Sequence, residues 1–116
     1  MSIERLHPGP RMSQGVKSAG VVYLAGQVAQ GAADGSVSEQ TADVLARIDE
    51  LLAEAGTDKS KALSATIWLT DMATFAEMNA VWDQWIDPAN PPSRACVESK
   101  LASPKFNVEI MLVAAV

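Results

Sequence analysis

The chain has 116 residues, 48% of them apolar, one cysteine and a formal net charge of −5. That length fits a single domain over residues 1–116, with enough apolar content for a core. The acidic balance, with no basic run, weighs against nucleic acid, whose affinity rests on Lys and Arg meeting phosphates.

In chain order, Ile3 to His7 is expected as a short strand stopped by Pro8-Gly9-Pro10. The N-terminal stretch MSIERLHPGPR carries no apolar leader segment. Val21 to Ala25 is β-branched and aromatic and reads as a strand ahead of Gly26. Gly31 to Gly35 is a loop. A helix follows over roughly Ser38–Ala55, with Val44, Ile48, Leu51, Leu52 and Ala55 at helical spacing and charged residues opposite. Ser36 and Glu39 have capping-box spacing, and Gly56 suits the position just past the helix.

Ala62 to Thr70 is expected as a central strand. Asp71 to Thr74 turns the chain, and Thr74 with Glu77 again has capping-box spacing. Met78, Val81, Trp82 and Trp85 form the stripe of a second helix that ends before Pro88. Trp68, Trp82 and Trp85 fall in core-type patterns. A loop from Asp87 to Pro92 leads to a strand around Arg94, and after a turn over Lys100 to Lys105 the last strand runs from Phe106 to Val116. The order is β-β-α-β-α-β-β, an α+β arrangement in which two helices cover one sheet face.

The last strand alternates Val108, Ile110, Leu112 and Ala114 with Asn107, Glu109, Met111, Val113 and Ala115. Both sets are apolar apart from Asn107 and Glu109, so the second face is expected to be buried against other subunits. Arg94, Cys96 and Glu98 share one face of their own strand. A buried charge is costly unless paired, partly wet or awaiting a charged ligand. One reading of Arg94 and Glu109 is therefore a structural ion pair between strands. The other gives Arg94 a ligand carboxylate to hold in its planar fork, and Glu109 a water to orient or activate with a pKa raised by desolvation.

Cys96 reads as a small core residue rather than a nucleophile. His7 reads as a surface or capping residue. One His and one Cys make no recognisable metal site, and no Gly-rich phosphate cradle is present. A single cysteine makes no intrachain disulfide, which suits a reducing, cytoplasmic compartment. No apolar run approaches the ~18 residues of a membrane span, so no membrane partner is expected.

The stretch PPSRACVESKLASPKFNVEI resembles the C-terminal signature of the RidA family, also called YjgF, YER or L-PSP. Gly26-Gln27 resembles the family's Gly-Gln, and FAEMNAVW, with Phe75, Asn79 and Trp82, resembles its F-x-x-x-N-x-x-aromatic helix. The likeness covers nearly the whole chain. It implies a chorismate-mutase-like α+β fold and a homotrimer whose sheets form a central barrel with the helices outside, with sites in the clefts between subunits. It further implies hydrolysis of reactive 2-imino or enamine acids to 2-keto acids and ammonia. Arg94 would bind the substrate carboxylate and Glu109 would position water or move a proton. Backbone around Cys96 and Gly26 would line the pocket. No cofactor is needed for water addition to an imine.

The chain departs from the best-known branch at two points. That branch has a tyrosine in a P-Y-x-Q-G setting where this chain has Met12, and a serine before Gly-Gln where this chain has Ala25. Both changes remove a hydroxyl, which bears on substrate choice and hints at non-hydroxylated substrates. Arg11-x-Ser13 is similar to a sister branch, in which Arg11 would be a second polar contact; a plain surface role is the alternative. Two competing functions are a metabolite-binding or regulatory trimer using the same cleft, and an endoribonuclease or translation inhibitor. Glu109 argues against the first, since a pure carboxylate binder has no use for a nearby anion. The acidic charge argues against the second.

Overall fold

A computed structural model describes residues 2–116. Seven strands form one mixed sheet: β1 (Ile3–Leu6), β2 (Gly15–Ser18), β3 (Val21–Leu24), β4 (Gln27–Val28), β5 (Ala62–Leu69), β6 (Ser93–Glu98) and β7 (Val108–Ala115). Their spatial order is β1-β2-β3-β7-β5-β6, and β4 also pairs with β7. All pairs are antiparallel except β5 with β6, which the second helix connects. The helices are α1 (Val37–Ala55) and α2 (Phe75–Trp85). Among the described residues no helix is long and apolar enough to cross a membrane.

Helix α1 begins as its sequence indicates. The Ser36 hydroxyl accepts from the Glu39 N–H while the Glu39 carboxylate accepts from the Ser36 N–H. It ends at Gly56, whose φ of 86° is left-handed and whose N–H returns to the last turn. Its apolar stripe buries Val44, Leu45, Ile48, Leu51 and Leu52 on the sheet, and each contributes roughly 1.5–3 kcal/mol. Gln40 and Thr41 are buried too, and both are hydrogen-bonded.

The second capping box does not form. A short 3-10 turn over Met72–Thr74 runs directly into α2, and Asp71 caps that turn by accepting from Ala73 N–H. The Glu77 carboxylate instead accepts from both the N–H and the hydroxyl of Ser38, tying the start of α1 to α2. Two strands also go beyond the sequence pattern. β2 is a Gly-Val-Lys-Ser segment held between β1 and β3, and β4 is two residues paired to β7. Neither is long enough to show alternation; long-range pairing makes them strands.

Burial in β7 alternates without exception. Val108, Ile110, Leu112 and Ala114 are fully buried, whereas Glu109, Met111, Val113 and Ala115 are half-buried. The first set packs into the core with α1 and α2. The second set shares the opposite face with Trp68, Val28 and Tyr23. Among the described residues no helix covers that face. Trp68 is therefore not a core residue of the single chain, contrary to its sequence pattern: its register partner is Glu109, on the open face.

Candidate functional site

Register fixes the surroundings of Glu109. Trp68 on β5 lies directly beside it on one side and Val28 on β4 on the other. Gly26 closes the third side. A Cβ built at Gly26 would collide with the Glu109 Oε2, so any larger residue here would displace the carboxyl from this position. These apolar neighbours remove water from the carboxyl, and burial raises its pKa above the ordinary 4.5. No hydrogen bond or ion pair joins the Glu109 side chain to another described residue. A half-buried carboxyl with a raised pKa and open acceptors is suited to taking a proton from a bound water and giving it up again.

Arg94 sits elsewhere. It is exposed on the edge strand β6, with Ala65 as register partner, and so projects on the helix-covered side of the sheet. Its guanidinium carbon lies 5.2 Å from the Trp82 ring centroid and 5.8 Å from that of Phe75. Both rings come from α2 and hold the fork by cation–π contact. Among the described residues nothing hydrogen-bonds or ion-pairs with it. The interstrand Arg94–Glu109 ion pair does not exist within the chain, because the two side chains leave the sheet in opposite directions.

Cys96 lies on the same face as Arg94, partly buried against the core. Burial pushes its thiol pKa up, and the nearby Arg94 charge offsets this only in part, so the thiolate is disfavoured. Glu98, at the end of that row, accepts from the Met72 N–H.

Met12 and Gly26 come together on another wall. With His7, Val28, Leu51 and Glu54 they line a cleft of about 600 Å³ between the β1–β2 loop, β4 and α1. His7 Nε2 lies 2.6 Å from Glu54 Oε2 and pins the loop to α1, which gives His7 the surface role its position suggests. Met12 is half exposed at this cleft. Arg11 is exposed on the same loop and makes no hydrogen bond or ion pair to another described residue.

The structure thus sets Glu109 against Gly26, places Gly26 and Met12 along a separate cleft, and puts Arg94 with Cys96 on another part of the sheet. The sequence reading did not anticipate Trp68 and Val28 as walls around Glu109, nor the Phe75–Trp82 seat under Arg94. The i, i+7 spacing of Phe75 and Trp82 marks one helix face, but only strand order shows that Arg94 lies over it.

The model of the Endoribonuclease L-PSP family matches residues 2–116. A RutC family protein of Haemophilus influenzae is 45% identical over 114 residues, covering 98% of both chains. The RutC family protein YoaB of Escherichia coli is 40% identical over 116 residues, covering 100% of both. A crystal structure of a YjgF-family protein from Neisseria meningitidis superimposes with a TM-score of 0.95 at 46% identity, covering 99% of this chain and 95% of that one. Fold, length and sequence agree from end to end, and the chain belongs to the Endoribonuclease L-PSP family, the YjgF/RutC proteins.

Proposed function

We propose that the protein is a hydrolytic deaminase of reactive 2-imino and enamine acids, working as a homotrimer. The observation that supports this is the pair of uncompensated groups, the Arg94 fork and the Glu109 carboxyl, on opposite faces of one sheet. Neither is neutralised by another described residue of its own chain. In a trimer whose open sheet faces pack together, the Arg94 edge of one subunit meets the Glu109 face of the next.

The chemistry then needs few parts. Arg94 holds the substrate carboxylate bidentately and fixes the imine carbon in place. Glu109 takes a proton from water as its oxygen attacks that carbon, and the resulting carbinolamine receives the proton on nitrogen. Collapse moves the hydroxyl proton by way of Glu109 to the nitrogen, expels ammonia and leaves the 2-keto acid. Water, proton and nitrogen balance without a cofactor. A reducing, cytoplasmic setting suits the single Cys96. Cleavage of RNA fits less well, since a net charge of −5 offers phosphates no basic surface.

The test generates 2-imino acids in situ with an amino-acid oxidase and traps them with semicarbazide. Wild-type protein should lower the trapped fraction. Arg94→Ala should lose about 10- to 100-fold in kcat/KM, as expected for a lost charged hydrogen-bond pair. A protein that binds 2-keto acids yet never lowers the trapped fraction would instead be a metabolite-binding module.

A further inference from the structure

Arg94 is mounted on a built seat. Its guanidinium lies within cation–π range of two rings, 5.2 Å from Trp82 and 5.8 Å from Phe75. Phe75 and Trp82 are separated by about two helical turns of α2, and Asn79 lies between them on the same helix face. The Asn79 Oδ1 is buried and has no hydrogen-bond partner. Buried acceptors are rarely left unpaired, and this one belongs to the helix position between Phe75 and Trp82, whose rings carry a guanidinium with no partner among the described residues.

We propose that Phe75, Asn79 and Trp82 are positioning residues that orient the Arg94 fork for carboxylate capture. The rings hold the guanidinium by its face and leave its N–H edges free. Asn79 Oδ1 accepts from one inward N–H when ligand binding settles the fork, and two outward N–H groups remain for the carboxylate. The seat limits the rotamers of a long side chain before the ligand arrives, so less entropy is lost on binding. This rests on the reading of Arg94 as a carboxylate anchor.

The experiment compares steady-state deamination and calorimetric binding of 2-oxobutanoate in wild type, Arg94→Ala, Phe75→Leu, Phe75→Tyr and Asn79→Asp. Phe75 is only partly buried, so Phe75→Leu should fold, and thermal unfolding checks this. Phe75→Leu should raise KM and Kd about three- to tenfold with kcat unchanged, and Phe75→Tyr should restore both. Asn79→Asp should abolish 2-oxobutanoate binding, because its carboxylate occupies the fork. If Arg94→Ala weakens binding but Phe75→Leu does not, the seat is overturned and the anchor stands. If Arg94→Ala changes nothing, or wild type neither turns over nor binds, anchor and seat fall together. Loss of kcat and melting temperature without a KM effect in Phe75→Leu would assign the ring to packing alone and also overturn the seat.

Discussion

Arg94 and Glu109 stand on opposite faces of one sheet, on strands separated by β5. Arg94 pairs with Ala65 and Glu109 with Trp68, so the two are also offset along the strand. Strand geometry puts them about 10 Å apart across the sheet and about 10 Å apart along it. A site that uses both must take them from two chains.

That separation gives a complementation experiment. Arg94→Ala and Glu109→Gln subunits, each strongly impaired alone, should regain activity when unfolded together and refolded. Random assortment in the proposed cyclic trimer returns an intact Arg94 and Glu109 to about a quarter of the sites. The semicarbazide assay on the mixture, against each variant refolded separately, measures this. No recovery from a mixture shown to contain mixed trimers would mean that the two residues act within one chain or not at all.

Glu109 also sets a pH dependence. Its folded pKa lies above the ordinary 4.5 because of burial. The folded chain therefore binds this proton more tightly than the unfolded chain. The resulting stability is present below about 4.5 and is lost as pH rises through the folded value. Glu109→Gln cannot ionise, so its stability relative to wild type should improve from pH 4 towards neutrality, read as the change in urea midpoint. In wild type, the acid limb of kcat should also fall above the ordinary glutamate range. A wild-type limb at or below 4.5 would count against Glu109 as the base.

Gly26→Ala addresses the same carboxyl from the backbone side. The added methyl collides with the Glu109 Oε2, and the side chain must move to relieve it. Gly26 does not have a positive φ, so alanine adds no backbone strain. The expected outcome is a fall in kcat of about tenfold or more, as for a misplaced catalytic group, with a melting temperature within a few degrees of wild type. Unchanged kcat would show that the position of Glu109 in the single chain is not the one used in turnover.

Much of this was legible in the sequence, for physical reasons that differ by element. Helix α1 declared itself because its caps and stripe are local, as did the two-faced alternation of β7. The Thr74–Glu77 spacing misled because capping-box geometry competes with any other donor within reach, and Ser38 lies within reach only after folding. β2 and β4 are strands by pairing, not by pattern. The placement of Arg94 over α2 and of Glu109 between Trp68 and Val28 depends on sheet order, and no local period encodes which strands become neighbours. The resemblance singled out Arg94 and Glu109, but the reason they cannot meet in one chain appears only in the register.

Gln40 connects core stability to the site. It is fully buried, donates to the carbonyls of Gly35 and Lys105, and accepts from the Asn107 N–H at 2.7 Å. The bonds to Lys105 and Asn107 fasten α1 to the segment that enters β7 two residues before Glu109. Leucine at this position keeps much of the volume but leaves the Asn107 N–H and the Gly35 carbonyl without this partner, while the Lys105 carbonyl keeps the Asp34 N–H. Each such orphan costs about 1–3 kcal/mol, and partial access to water reduces the sum, so Gln40→Leu should lose about 2–4 kcal/mol in urea unfolding. The loss should also reach the site, because the entry to β7 is no longer held. Amide exchange at Asn107 and Val108 should accelerate more than in the centre of α1, and kcat should fall even where the protein remains folded. Uniform exchange across both regions would make Gln40 a general core contact with no particular hold on the strand that carries Glu109.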